Sequence, residues 1–428
     1  EALSKQSPEE ERVDALAERL KRAEDARQEL ERTIRANHRR YAEVRYPPPL
    51  DLQGIQASLD PDWVLLEYSL SEEGSYLFLV TRDGLEVHPL PRTREIASHM
   101  ERVRAGVASP GRLGGYVRSA RWLYEELVAP VRPRLDGKQI LLIAADGPLH
   151  FLSFEALLTA DVQGSDPAGF PYLLRDFALG YVPSASVLPL LSAAKTRESK
   201  AAKQLVAFAD PVYGSGSSGV ADSGALTRGA VGERPALQGL SRLRRLRGSG
   251  LEVERIAGLY RPDDVMIYMG EDANERHIKR NALVETARRL HFAAHGVLNA
   301  ERPALSGLRL SKSEGDDGLL QVYEIFNLKL EAELVVLSAC ESGLGREVTG
   351  EGLVGVTRAF LYAGAPSVVV SLWRVRDDTA PDLMLDFYQG LNQLGKAEAL
   401  RQAKLTMIGA GRHSHPYYWA PFVLVGKP

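Results

Sequence analysis

The only cysteine among the 428 residues, Cys340, closes the apolar run of LVVLSACESGLG (334–345), just before two glycines. Upstream by 45 positions, His295 closes RLHFAAHG and is followed by Gly296. Singly, each reads as readily as structure: the thiol as a small buried hydrophobe, the imidazole as a satisfied residue at a strand end. Jointly they suggest nucleophilic chemistry. A thiol is weak at its free pKa, and an adjacent imidazole can take its proton or stabilise the thiolate. Both follow apolar runs, and ligands of open parallel sheets bind beyond the carboxyl ends of the strands. Gly296 permits close backbone approach, so its N–H, with that of Cys340, is the expected oxyanion donor pair.

Other chemistries fit poorly. The sequence contains no G-x-x-x-x-G-K-[ST] phosphate loop, the glycines of ESGLGREVTGEG lack dinucleotide spacing, and no G-x-S-x-G elbow occurs. One cysteine makes neither an internal disulfide nor a cysteine-rich metal site. His413 and His415, in GRHSHPYYW, are read as a loop before the last strand rather than as metal ligands. No cofactor and no metal are expected.

The elements that would position the pair follow from the patterning. Continuous apolar segments (KQILLIA, KQLVAFA, ARRLHFAA, ELVVLSA, PSVVVSLW) alternate with helical stretches, which predicts a mainly parallel sheet covered on both faces. DWVLLEYSL and YLFLVTRDGLEVHPL predict a strand and a hairpin turning at Arg82–Asp83–Gly84. Residues 8–45 predict one long helix, with Ser7 as N-cap and a stop at YPPPL. Residues 211–248 turn Gly/Ser-rich and then basic, a mobile loop in which Arg242, Arg244, Arg245 and Arg247 form a solvated face. With 44% hydrophobic and 25% charged residues and a net charge of -3, the chain is an ordinary globular one without a global case for nucleic acid. No apolar run suits a membrane helix. A cytoplasmic setting is expected, and the absence of an initial Met suggests a piece of a longer protein.

These motifs together resemble the CHAT domain, a caspase-like cysteine protease family often attached to tetratricopeptide repeats. The resemblance rests on HFAAHG (291–296), LSACESGLG (337–345), GEGLVGVTRAFLYAGAPSVVVSLW (350–373) and HPYYWAPFVLVG (415–426). DGPLHFLSFEALL (146–158) and residues 61–91 add to it, so it covers roughly 50–428. The spacing also approximates the caspase signature, with the glycine after Cys340 displaced by one. The resemblance implies a caspase-like α/β/α sandwich with a His295–Cys340 dyad. It further implies an N-terminal helix (1–47) trailing an upstream repeat region, a degenerate caspase-like half (48–200) and a catalytic half (201–428).

On that reading the chain is a cysteine endopeptidase cleaving a protein substrate, regulated by an upstream domain or partner, in bacterial defence or signalling. The alternatives are a catalytically silent interaction module and a thiol acyltransferase. Ser371, Leu372 and Trp373 are expected to pair with an extended substrate as an added strand; Trp373 either walls a side-chain pocket or covers the core. Arg374 faces an acidic P1 residue or solvent, Asp146 lines the site from another strand end, and Glu341 and Glu351 would instead favour a basic P1. SLWRVRDDTA departs from the family's usual order after SLW, which puts substrate contacts in doubt rather than the dyad. Neither nucleic acid nor membrane is an expected partner.

Overall fold

The computed structural model describes residues 16, 18–26, 29, 32, 50–107, 113–193, 201–213, 243, 245–299, 302–338, 340–341, 351–373 and 375–428. The chain divides into the units Glu1–Pro49 and Leu50–Pro428. In the first, the described residues are helical and exposed. Most of the 211–248 segment, together with Arg242, Arg244 and Arg374, lies outside the described residues.

The second unit is built on one eleven-stranded sheet. Its strands in chain order are β1 (Trp63–Ser69), β2 (Ser75–Thr81), β3 (Gly84–Leu90), β4 (Ile140–Ala144), β5 (Ala178–Tyr181), β6 (Leu205–Ala209), β7 (Val265–Met269), β8 (Arg289–Ala293), β12 (Leu334–Leu337), β14 (Ser367–Ser371) and β15 (Phe422–Gly426). Four short strands form a second sheet: β9 (His295–Val297), β10 (Gly307–Arg309), β11 (Leu319–Gln321) and β13 (Cys340–Glu341). The large sheet runs β3-β2-β1-β4-β5-β15-β14-β12-β8-β6-β7 and the small one β11-β10-β9-β13. Arg82 and Asp83 alone make the turn between β2 and β3, because Gly84 already pairs with Thr81.

Two parallel blocks meet in this sheet. β1, β4, β5 and β15 are parallel neighbours, as are β14, β12, β8, β6 and β7. β14 and β15 are antiparallel. The blocks therefore point in opposite directions, and the carboxyl ends of β6, β8, β12 and β14 share one edge while those of β4 and β5 lie at the other.

Both faces are covered, as uninterrupted apolar strands require. The main helices are α1 (Thr93–Val107), α2 (Leu113–Leu127), α3 (Arg247–Ala257), α4 (Glu351–Ala363), α5 (Ala380–Gly390) and α6 (Lys396–Gly409). α1, α2, α3, α5 and α6 pack on one face and α4 on the other. In α2, Tyr116, Ala120, Leu123, Tyr124 and Leu127 are buried, the three-to-four spacing of a one-sided helix. Alternation sorts the strands: Leu334 and Val336 face one core, Val335 and Leu337 the other. Phe208 and Phe292 stack at 5.3 Å beneath β6 and β8, and Phe360 of α4 lies 5.5 Å from Phe292. Truncating a buried aromatic of this kind to alanine costs about 3–5 kcal/mol.

Two sequence expectations change in detail. Between β7 and β8 the alternating helical stretch, read from the sequence as one helix over 273–286, is two short helices, Glu275–Lys279 and Ala282–Glu285, because Asn281 caps the second by accepting from the Leu283 N–H (2.9 Å). The strands expected to run into His295 and Cys340 stop short, at Ala293 and Leu337, and both residues open strands of the small sheet.

Candidate active site

The small sheet brings the histidine and the cysteine together. β9 and β13 are parallel, with Cys340 in register with His295 and Glu341 with Gly296. Adjacent strands lie about 4.8 Å apart, so the two residues are direct backbone neighbours. On its other side β9 pairs antiparallel with β10, which sets Arg309 opposite His295 and Leu308 opposite Gly296. Arg309, His295 and Cys340 thus form one cross-strand row.

His295 is held from several directions. It is buried, and the Tyr213 ring packs against its imidazole at 5.3 Å, tilted by 46°. Four residues earlier, the fully buried His291 fixes β8: its Nε2 lies 2.9 Å from Glu252 Oε1 of α3, and its Nδ1 3.1 Å from the Tyr388 hydroxyl of α5. Burial pushes the Tyr213 phenol well above its ordinary range, so it stays neutral beside the imidazole.

Tyr213 arrives on the loop after β6, whose conformation is built in. Asp210 adopts a left-handed φ of 50°, rare outside glycine. Its N–H donates to Ser249 Oγ (2.8 Å), and its carboxylate accepts from Arg245 Nε at 2.7 Å and Nη2 at 2.8 Å. Val212 N–H donates to Ser311 Oγ (2.7 Å), tying the loop to the small sheet. Of the basic cluster expected as a solvated face, Arg245 and Arg247 are both exposed, and Arg245 also holds Asp210.

The hairpin of β10 and β11 is pinned by charge. Lys279 donates to Glu275, to Glu324 at 2.6 Å and to Asp316 at 3.1 Å. Burial alone would lower its pKa, but these carboxylates outweigh it and hold the ammonium charged. Gly307 meets β11 so closely that a Cβ there would lie 2.2 Å from the Leu320 carbonyl oxygen. Arg309 is buried, donates to the Asp317 carbonyl at 2.9 Å, and has its pKa lowered by that burial.

The expected substrate residues divide. Ser371 ends β14 at the edge carrying the pair, and the Leu372 N–H donates to the Pro421 carbonyl (2.9 Å). Trp373 is half-buried, packs against the core and donates its indole N–H to the Tyr417 carbonyl at 3.3 Å. Asp146 is not brought to this group. It follows β4, whose carboxyl end lies at the opposite edge, and its carboxylate accepts from the Leu70 N–H (2.8 Å). The antiparallel β14–β15 junction is the reason. His415 accepts from the Tyr417 N–H and caps the helix Pro416–Trp419, with its pKa lowered by burial to about 4. Among the described residues no cluster of three or more histidine, cysteine or acidic side chains could hold a metal ion. Nor is any described helix long and apolar enough to cross a membrane.

Tyr213, Asp210 and Arg309 were not singled out from the sequence. The rule that pointed to His295 and Cys340 also covers Asp210 and Tyr213, since KQLVAFADPVY is another apolar strand followed by a turn. Nothing local marks Arg309, which depends on a pairing across fourteen residues.

Comparison with known proteins agrees with this architecture. The mouse (Mus musculus) Tetratricopeptide repeat protein 28 is 40% identical over 110 residues, 26% of this chain and 4% of that protein. The human (Homo sapiens) protein is 37% identical over the same length and shares. The chain thus spans a small fraction of the curated relatives it matches. Among solved structures, the Saccharomyces cerevisiae separase–securin complex superposes with a TM-score of 0.53 at 10% identity, covering 88% of this chain and 30% of that one. At that identity the likeness speaks for the fold, a caspase-like α/β architecture. The CHAT domain family matches residues 117–427, most of the chain, and the protein belongs to that family.

Proposed function

We propose that the protein is a cysteine endopeptidase in which Cys340 is the nucleophile and His295 its acid–base partner. The observation that carries the reading is the register of the small sheet, which pairs Cys340 with His295 at the edge where the five strands of the second parallel block end. The Cys340 sulfur attacks the scissile carbonyl carbon while its proton passes to the imidazole. The amides of Gly296 and Cys340 receive the developing oxyanion. The C–N bond breaks as His295 returns the proton to the leaving amine, which leaves a thioester on Cys340. Water then attacks the thioester, the acid departs and the thiol is restored. An extended substrate would pair along Ser371 and the Leu372 carbonyl, the Leu372 N–H being taken by Pro421, and Trp373, with its indole tip already bonded, gives that edge a fixed apolar wall.

We assign control of the enzyme to an upstream repeat region or a protein partner. The relatives named for tetratricopeptide repeats and the separate unit Glu1–Pro49 support this part of the reading. The test is a peptide-library digestion by wild type, Cys340→Ala and His295→Ala, with labelling by a thiol-directed peptide probe. Cleavage and labelling by wild type alone are expected. If wild type neither cuts nor labels, with candidate partners added, the protease reading fails and an interaction module remains. Acylated rather than hydrolysed products in the mass spectrum would turn the assignment to acyl transfer.

A further inference from the structure

Arg309 is a buried cation in the row of the candidate pair, and the peptidase chemistry gives it no task. It is 6% exposed, and burial is the largest influence on its charge. Two carboxylates act on it from nearby, and both are engaged elsewhere: Asp317 accepts from the Leu319 N–H (2.9 Å) and Glu275 from Lys279. Nη1 donates to the Asp317 carbonyl (2.9 Å), whereas Nε is buried without a hydrogen-bond partner. A guanidinium stays protonated in proteins. The fold therefore holds a permanent charge to which no carboxylate is bonded among the described residues. A buried charge in that state is destabilising, and one kept beside a candidate site points to an anion that arrives from outside.

The hairpin is shaped to seat this side chain. Gly318 has a left-handed φ of 79°, and a Cβ there would lie 2.9 Å from Arg309 Nη1 and 2.8 Å from the Leu310 carbonyl oxygen. Tyr213, which packs against the His295 imidazole, also acts on the guanidinium. Register sets Arg309 directly opposite His295, on the same face of the small sheet. The order of the row is Cys340, His295, Arg309. In the proposed chemistry the imidazole returns its proton to the leaving amine, so the departing segment lies on the imidazole's side of Cys340. Arg309 stands further along that side, beyond the imidazole.

We propose that Arg309 selects substrates with an acidic side chain on the leaving side of the scissile bond, within the first two residues after it. This inference rests on the peptidase reading. The test is digestion of a peptide library, randomised on both sides of the cut, by wild type, Arg309→Gln and Arg309→Lys, with candidate partners added. Matched peptides carrying Glu or Gln at the selected position then give kcat/KM. Wild type is expected to favour Glu by at least about tenfold, the yield of one charge-assisted hydrogen bond. In Arg309→Gln the Glu/Gln ratio should fall toward one, and Arg309→Lys, a charge without the planar fork, should keep part of it. A merely structural role would slow both peptides alike and leave the ratio unmoved. Should Arg309→Gln fail to fold, the wild-type ratio and Arg309→Lys carry the test. Cleavage by wild type without an acidic preference on the leaving side, or a ratio unchanged in the variants, overturns this inference and leaves the peptidase reading standing. No cleavage of any peptide by wild type overturns both.

Discussion

Replacing Lys404 by methionine tests how the two blocks of the sheet are joined. Lys404 belongs to α6, in the second half of the chain, and Glu155 to the first half. The ammonium is 1% exposed and donates to Glu155 Oε1 at 2.9 Å. The other carboxylate oxygen accepts from Ser153 Oγ at 3.1 Å and from the Tyr181 hydroxyl at 2.5 Å. Burial pulls the Lys404 pKa down and Glu155 opposes the shift. Lys404→Met strands a carboxylate in the core, and Glu155→Gln strands an ammonium. Each is expected to cost about 3–5 kcal/mol, whereas removing both charges together costs little, because the pair gives back in attraction about what it lost in desolvation. At about 2.1 cal/mol/K per residue, unfolding of the Leu50–Pro428 unit carries roughly 0.8 kcal/mol/K, so each single variant should lower Tm by about 4–6 °C. Scanning calorimetry at pH 7 on both singles and on Lys404→Met/Glu155→Gln completes a double-mutant cycle. The double variant should return to within about 1 kcal/mol of wild type, since glutamine still accepts from Ser153 and Tyr181. Single costs below about 1 kcal/mol, or a double cost equal to the sum of the singles, would refute this account of the buried pair.

Three further outcomes follow from other sites. Gly307→Ala places a methyl 2.2 Å from the Leu320 carbonyl oxygen; prying β10 from β11 should cost about 1–3 kcal/mol and, on the peptidase reading, lower kcat, as urea melts and peptide assays would register. Lys279→Met leaves Glu275, Asp316 and Glu324 facing one another without their cation, a loss of about 3 kcal/mol at pH 7. That loss should shrink as pH falls, because burial raises the Glu275 pKa and its protonation removes one of the unpartnered charges. His415 stays neutral in the fold down to about pH 4, while the unfolded chain protonates it below about 6.5, so its stabilisation is full above pH 6.5 and is lost as pH falls toward 4, by about 3 kcal/mol at most. His415→Asn, which keeps an acceptor for the Tyr417 N–H, should flatten that part of the pH–stability curve in chemical denaturation.

The legibility of this protein in its sequence differs from level to level. Strand cores such as LVVL and SVVVS announce themselves because burial on both faces demands uninterrupted apolar residues. α1 and α2 carry the one-sided apolar spacing that marks a helix packed on a core, and this pattern is visible without the structure. The small sheet was not readable: its strands are two or three residues long, too short for any periodicity, and they exist only because β9, β10, β11 and β13 find one another in space. The Tyr213 loop escaped for a related reason, since its conformation is enforced by Arg245, Ser249 and Ser311, all distant in the chain.

The sequence by itself determined the class of fold and the family, and it supplied the two residues on which the peptidase proposal rests. Those properties reside in residue type, local apolar pattern and short motifs. Tertiary structure alone decided which strand ends share an edge. His295 and Cys340 meet because short strands beyond β8 and β12 pair in parallel, and Asp146, equally a strand-end residue, is excluded because β14 and β15 pair antiparallel and turn the first block around. Strand direction is set by which backbones exchange hydrogen bonds, a long-range choice that the residues at a strand end do not encode.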